Sequence, residues 1–561
     1  MLKYYYQIYS ETDGIMNGKQ NKIMLQLPIL LGIVMYGGFY DFCVYAVGVI
    51  TLLFLFIKLG KDKKSKTIKN EIFYGSIVLC ASAAVSAFAG VNRGMAWLGV
   101  FRVFVMAVWI FYLMQFDKNE REAAVDIIPW AGAVMVLTGI ISLMLRDILP
   151  QVADMFWQAD RFGGTFQYSN TCALFLLTGL LVIAGKVDIH KKELAVFDVL
   201  LLGIFLTGSK GGILLLIPVL IWILKSNKAF RVNGLCMVAV LVAGGIVYAT
   251  ISGDFQNIGR IYTLFTNQST LYGRMLYMKD AIPVLLSNPL GTGYMGYWAM
   301  QSSIQTGVYT SMFVHNDWIQ MGLDYGWLFL IVSIAVIIKQ LIKGQQDRTN
   351  RIIMILICGY SLMEFHLQYL SVVMILLLVL DFREKDIMVN KIIVARENQI
   401  FAVFGMILLG YFAVQALFSH IGLYEKALGM YSYDTPAKEA LLQKENNKDA
   451  AVELAKEILV INSYSADSYN VLAYGALMDG HYKKAIDYKY KVVEIKKYNM
   501  TEYTDFMEML DIIRQSDDSE QTKTLCQSGY NKIEQLMKET KDNTSPLAYK
   551  LRDKPEFIHL E

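Results

Sequence analysis

The chain has 561 residues, of which 55% are hydrophobic and 18% charged, with a formal net charge of +3. Soluble globular proteins carry closer to about a quarter charged residues, so the composition excludes an ordinary soluble enzyme and points to a multi-pass membrane protein. The lysines sit in short clusters between apolar runs rather than on one basic face, which excludes a nucleic-acid partner.

The opening MLKYYYQIYSETDG has no apolar h-region and no small-residue cleavage site, so no cleavable signal peptide is expected. Residues 1–22 read as a cytoplasmic segment. Long uncharged runs follow, among them CVYAVGVITLLFLFI, ILLLIPVLIWIL and WLFLIVSIAVII. Such runs suit helices that cross a hydrocarbon core of ~30 Å, and about thirteen are expected. They fall at 23–38, 42–59, 72–91, 96–116, 124–145, 169–185, 194–208, 212–225, 234–252, 322–342, 352–366, 369–382 and 399–418. GGFYD and EFHLQ split two of the longer stretches, because glycines and polar residues interrupt the run. The fold class expected is all-α: a polytopic helix bundle over 23–419 with a large outer loop at 253–321, and a helical domain over 420–561.

The connections sort by charge. KDKKSKTIK at 61, DKNER at 117, KVDIHKK at 186, KSNKAFR at 225, KQLIKGQQDRTNR at 339 and REKD at 383 are cation-rich and alternate along the chain. The positive-inside rule assigns them to the cytoplasm. The opposite side then receives 146–170, the turn at 208–212, the loop 253–321 and the tail from 420 onward. Of the 6 cysteines, all but Cys526 lie in or beside apolar segments, and no CxxC occurs. Neither a zinc site nor a disulfide framework is indicated.

Several cations break this pattern. Arg161, Lys210, Arg260, Arg274 and Lys279 fall on the cation-poor side, and Arg102 falls inside a span, where a charge needs a polar surrounding. For Arg260 and Lys279, snorkelling or pairing with a nearby aspartate is a sufficient account. The other three have richer contexts. In ADRFGGTFQYSNTCALF, Arg161 and Asn170 flank a Gly-Gly turn just before a span. In TGSKGG, Ser209 and Lys210 occupy a tight turn between two spans, where turn chemistry alone does not call for a lysine. In the loop 253–321, the stretch from Arg274 to Leu286 reads as an amphipathic helix that ends before Asn288-Pro289 and lies along the membrane interface.

Gly291, Gly293 and Gly296 spell GxGxxG, but no strand precedes them, so a dinucleotide fingerprint is rejected in favour of a tight turn. That turn returns the chain to VHNDW, where His315, Asn316 and Asp317 open the next span. A histidine titrates near neutrality and suits general-base work, and Asn316 and Asp317 are candidates to fix its tautomer. Taken alone, His315 reads as a satisfied interfacial histidine. Its cationic and amide companions favour a functional role. Glu364 and His366 in LMEFHLQ form a second polar cluster, read equally as a helix turn and as a substrate contact. The carboxylates of the loop are Asp254, Asp280 and Asp317, with no D-x-D pair, which argues against a Mg²⁺-dependent sugar-nucleotide transferase.

In the tail, Tyr469, Leu472, Ala473, Gly480, Tyr482 and Ala485 occupy the positions that a tetratricopeptide repeat gives to its large, small and turn residues, and Ala451 precedes Ala485 by one ~34-residue period. A generic helical hairpin fits the same residues. A repeat module implies a protein partner or a lid on the membrane domain.

These pieces, taken in order, resemble the O-antigen ligase and polymerase superfamily of bacterial envelope glycosyltransferases. The resemblance spans roughly 20–420 and is most specific over 160–330. It rests on R-x-x-G-T-F…N before a span, the Ser-Lys-Gly-Gly turn, the arginine of the amphipathic helix, P-x-G-x-G, the His-Asn pair, and Gly322 and Gly326. Lys210 departs from the family pattern, which has arginine there; a lysine keeps the charge and loses the bidentate fork.

The resemblance implies a metal-independent C-type membrane glycosyltransferase without a cofactor, in the bacterial cytoplasmic membrane, with the tail extracytoplasmic. Its donor would be a glycan on a polyprenyl (undecaprenyl) pyrophosphate and its acceptor a glycan, lipid or protein hydroxyl. His315 and Arg274 would be catalytic, Arg161, Lys210 and Arg274 would bind the pyrophosphate, and Asn170, Asn316 and Asp317 would support them. Two readings compete. A transporter of the lipid-linked glycan should show broken helices with midplane polar residues. A membrane-anchored scaffold needs one span.

Overall fold

The computed structural model describes residues 2–226, 228–232, 239–240, 242–244, 269–382, 387–390 and 392–558. The described chain is mostly helical, and sheet is confined to two short two-stranded pairs. Apart from 234–252, most of which lies outside the described residues, each expected span meets a helix. Among the described residues, five helices are long and apolar enough to cross a membrane: Asp41–Asp62, Glu71–Ala89, Arg93–Leu113, Lys118–Met144 and Ile393–His420. Ser169–Ala184 is apolar but shorter. The helix Ile392–His420 exposes Ile393, Ile400, Phe404, Ile407, Tyr411 and Val414. Their spacings of seven, four and three place them on one helical face, an apolar stripe that suits lipid.

The chain divides into two compact units, one of Met1–Ile77, Phe104–Asn267 and Ser333–Ala413, the other of Val78–Val103, Gln268–Val332 and Val414–Glu561.

In the first unit the cation-rich connections at 61, 117, 186 and 339 come together, while REKD at 383 lies outside the described residues. Ser65–Ile68 pairs antiparallel with Ile387–Asn390, so the connections after 61 and before 392 lie side by side. Lys66 bridges to Asp117 at 2.6 Å, Lys118 donates to the Gln345 carbonyl at 3.3 Å, and Lys186 bridges to Asp126 at 3.6 Å. The other ends of the same helices meet as well. Thr165 donates to the Ile33 carbonyl at 2.7 Å and Ser371 to the Gly37 carbonyl at 2.8 Å. Helices Ser169–Ala184, Lys191–Thr207 and Lys210–Ser226 therefore run alternately between a cationic end and an end that collects 161–170, 207–212 and 360–371.

In the second unit the outer-loop helix forms as Ser269–Ser287, stopping before Asn288-Pro289 as expected. It buries Gly273, Leu276, Asp280, Ala281 and Val284 and exposes Leu271, Met275, Ile282 and Leu286, which share the opposite face. Arg102 is buried with its guanidinium 5.2 Å from the Tyr294 ring centroid, a cation–π contact. Lys279 donates to Ser545 at 2.9 Å rather than to an aspartate, and Arg260 and Asp254 lie outside the described residues.

The tail is helical throughout most of its length. Lys448–Ile461, Ala466–Met478, Tyr482–Ile495, Met500–Ser516 and Glu520–Asp542 pack each against the next. Ala451, Leu472, Ala473 and Ala485 are buried between them, where small side chains let helices approach closely. Beyond the last helix, residues 545–551 return to the outer loop. Ser545 N–H donates to the Thr306 carbonyl at 2.8 Å, Ala548 is fully buried beside Leu276 and Tyr309, and Lys550 lies 4.9 Å from the Tyr272 ring.

Candidate functional site

The sequence-predicted residues fall into two groups, one in each unit.

The first group gathers at the start of Ser169–Ala184. A short hairpin pairs Gln158 with Arg161 and presents the arginine. The chain then turns through Gly163 and Gly164. Gly164 has φ +57°, and a Cβ there would lie 2.6 Å from Met135 Sδ, so the turn tolerates no side chain. Arg161 Nε donates to the Thr207 carbonyl at 3.0 Å, and its Nη2 donates to Asn170 Oδ1 at 3.2 Å. Ser209 donates to the same Asn170 oxygen at 2.8 Å, meets the Tyr360 hydroxyl at 3.0 Å, and accepts the Gly212 N–H at 3.1 Å. Lys210 follows immediately, half-buried, as the first residue of its helix. Arg161, Asn170 and Ser209 thus belong to one hydrogen-bonded cluster, with Lys210 next to Ser209 in the chain, although 48 positions separate Arg161 from Ser209.

Glu364 and His366 lie in the turn between helices Arg348–Tyr360 and Leu370–Leu378, and both join this cluster. Both are fully buried. Glu364 accepts from the Tyr168 hydroxyl at 2.7 Å and from Asn170 Nδ2, which also reaches the Tyr168 oxygen at 3.0 Å. His366 Nδ1 meets the Thr171 hydroxyl at 3.0 Å, and its ring stands edge-on to Tyr360 at 4.4 Å. A buried carboxyl is costly unless hydrogen-bonded, and here the Tyr168 and Asn170 donors converge on it. Tyr168, Ser209 and Tyr360 are members that sequence reasoning did not select as site residues. Ser209 was visible in its motif, whereas nothing local distinguishes these two tyrosines among the 34 in the chain.

The second group lies along the outer loop. Gly291 and Gly293 take φ +85° and +81°, and a Cβ on Gly291 would come within 2.6 Å of the Gly326 nitrogen. The glycine turn packs against backbone: Thr292 N–H donates to the Leu323 carbonyl at 2.6 Å and Trp327 N–H to the Pro289 carbonyl at 2.9 Å. The GxGxxG stretch is a docking turn, as expected.

Asp280 then fixes the approach to His315. It accepts from Thr306 N–H at 2.8 Å, Thr306 Oγ1 at 2.7 Å and the Tyr309 hydroxyl at 2.8 Å. Tyr277 stacks on Tyr309 with centroids 4.5 Å apart and lies 5.8 Å from the His315 ring. Burial pushes the Tyr277 hydroxyl up from its ordinary value and the Arg274 charge pulls it part of the way back, so Arg274 acts on the same aromatic group as His315. His315 is half-buried and takes φ +57°, an uncommon conformation for a non-glycine residue. Asn316 caps the helix Asp317–Tyr325: its side-chain oxygen accepts from Trp318 N–H and Ile319 N–H, each at 3.1 Å. That oxygen is committed to the cap, which competes with the role expected for Asn316 at the imidazole. Asp317 is fully buried in the first turn. Among the described residues, no group of three or more His, Cys, Asp or Glu side chains is placed to hold a metal ion.

No curated protein and no solved structure matches the chain. A family model described as O-antigen ligase matches residues 195–334, which include Lys210, Arg274, His315, Asn316 and Asp317; Arg161, Asn170 and Glu364 lie outside the match. Apolar helices together with this match support a membrane protein with a glycosyltransferase-like activity, and residues 195–334 are similar to the O-antigen ligase family.

Proposed function

We propose that the protein transfers a glycan from a polyprenyl-pyrophosphate donor to a hydroxyl acceptor at the outer face of the cytoplasmic membrane. The observation that carries this reading is the O-antigen ligase match over the segment holding Lys210, Arg274 and His315. The meeting of the cation-rich connections at one end of the first unit supports assigning that end to the cytoplasm and the Arg161 cluster to the outer face. We keep about thirteen spans and an extracytoplasmic tail as part of this reading.

The chemistry follows from the side chains. The acceptor oxygen attacks the anomeric carbon, a new glycosidic bond forms, and the bond from that carbon to the pyrophosphate oxygen breaks with its electron pair. Charge grows on the pyrophosphate as it leaves, and Arg161, Lys210 and Arg274 are the cations that stabilise it. His315 takes the acceptor proton. Asp317 and Asn316 hold the start of the helix that follows His315. The helical tail presents a surface for a protein or bulky envelope acceptor, in the manner of tetratricopeptide-like repeats, which favours ligation over repeat polymerisation.

The test is a transfer assay in lipid, without added metal, using a polyprenyl-pyrophosphate glycan. Wild type should release the glycan from its lipid, whereas His315→Ala and Arg274→Ala should not. The product's size separates ligation from polymerisation. Intact donor in every sample, with donor binding retained, would move the assignment to a transporter of the lipid-linked glycan.

A further inference from the structure

We propose that Glu364 is a positioning residue: it fixes the orientation of the Asn170 amide and thereby the guanidinium of Arg161 and the hydroxyl of Ser209. The proposal rests on the pyrophosphate-binding reading of Arg161 and deepens it, since it assigns the control of that cation to a residue outside the matched segment.

An amide has one accepting oxygen and one donating nitrogen, and it reads its neighbours by which of the two it turns toward them. Arg161 only donates, so it requires the Asn170 oxygen, and Nη2 meets that oxygen at 3.2 Å. Ser209, whose own oxygen already accepts the Gly212 N–H, donates to the same atom at 2.8 Å. The amide nitrogen must then find an acceptor on its other side, where the carboxyl of Glu364 stands. Tyr168 closes the arrangement by donating to the second oxygen of Glu364 at 2.7 Å while stacking on Phe365, with ring centroids 4.6 Å apart. Reversing the amide would set an N–H₂ group against Arg161 and Ser209 and an oxygen against the Glu364 carboxyl. The contacts to Arg161 and to Glu364 would be lost together, and Ser209 would have to give up its role as donor. The carboxyl is therefore the group that makes one of the two amide orientations obligatory.

A role confined to holding helices together predicts a different response from a role in orienting Arg161, and a polarity exchange separates them. Glu364→Gln alone replaces one of two accepting oxygens with a donor, so that either Asn170 or the Tyr168 hydroxyl loses its acceptor. Asn170→Asp alone places two carboxyls face to face. The pair Glu364→Gln with Asn170→Asp restores complementarity: the new amide donates, the new carboxyl accepts from it, and the carboxyl's other oxygen still accepts from Arg161 and Ser209.

The probe is a polyprenyl pyrophosphate carrying no glycan, bound by full-length protein in lipid nanodiscs, with the thermal midpoint measured in parallel. Each single variant should lower affinity by roughly tenfold or more, and the paired variant should return to within about threefold of wild type, since residues in one hydrogen-bond network do not act additively. Tyr168→Phe, which removes the hydroxyl's contacts with Glu364 and Asn170 but leaves the Asn170–Glu364 contact in place, should lower affinity by only about threefold. With transfer as readout, the donor KM should rise in the single variants while kcat changes less. Singles that bind as wild type overturn the proposal. A paired variant that folds but binds no better than the weaker single overturns it too. A single variant that fails to fold leaves the paired variant and Tyr168→Phe to decide. Wild type that fails to bind the pyrophosphate lipid removes the underlying reading, and this proposal with it, a result distinct from wild-type binding with insensitive variants.

Discussion

The Arg161 cluster and the His315 segment secure their key side chains by different means. In the first, side chains hold side chains: Arg161, Asn170, Ser209, Tyr168 and Glu364 form one hydrogen-bonded chain in a buried setting. In the second, backbone devices dominate. A cap at Asn316, paired turns at Gly291 and Gly293, and the grip of Asp280 on Thr306 bring His315 to its place at a positive φ. A side-chain network is sensitive to polarity and tolerant of small backbone movement, whereas a backbone scaffold has the opposite sensitivities.

The contrast can be broken most sharply at His315. His315→Ala should lower transfer by on the order of 10²–10⁴-fold with donor binding retained, read by release of glycan from its lipid. Loss of binding instead would make His315 part of the anion site and erase the distinction. Arg161→Ala should lower kcat/KM by about 10²-fold, and Arg161→Lys should recover little, because two nitrogens of the guanidinium are already engaged by Thr207 and Asn170. Asp280→Asn should destabilise the second unit by about 1–3 kcal/mol, since three donors lose a charged acceptor, and should lower activity through the His315 approach; a thermal melt alongside the assay reads both. Asn316→Ala should cost about 1 kcal/mol while Asn316→Ser keeps most of the stability, as a cap predicts. A full loss of activity in Asn316→Ser at an unchanged melting temperature would show that its amide acts at the imidazole after all. Smallest of all, Lys210→Arg should change transfer by less than about threefold, because both side chains carry the same charge at the helix start.

Much of the first unit was legible because apolar runs and alternating cationic connections are local signals, and the helices fall where those signals put them. The cluster itself was legible only in its loop motifs. Asn170 and Glu364 stand 194 positions apart, and LMEFHLQ carries no local sign that its carboxyl faces that amide. The pairing of Ser65–Ile68 with Ile387–Asn390 was hidden for a similar reason: KSKTI and IMVN are too short and too mixed to announce strands. In the second unit, Asn316 precedes an acidic first turn, a capping signal that a proposed catalytic role for its neighbour obscured. The return of residues 545–551 to the outer loop had no signal, since it rests on a serine, an alanine and backbone groups.

That return also sets an order of events during synthesis. Lys279 and its partner Ser545 are 266 positions apart. At translation rates of about 5–20 residues per second, the outer-loop helix leaves the ribosome roughly ten seconds to a minute before the segment that fastens it. Through that interval the exposed Leu271, Met275, Ile282 and Leu286 face give the helix a provisional resting place on the bilayer. A ribosome that stops before codon 545 would leave the helix carrying Arg274 without its fastening, so a chain interrupted late in synthesis would lack a settled outer loop even with every membrane helix already in place.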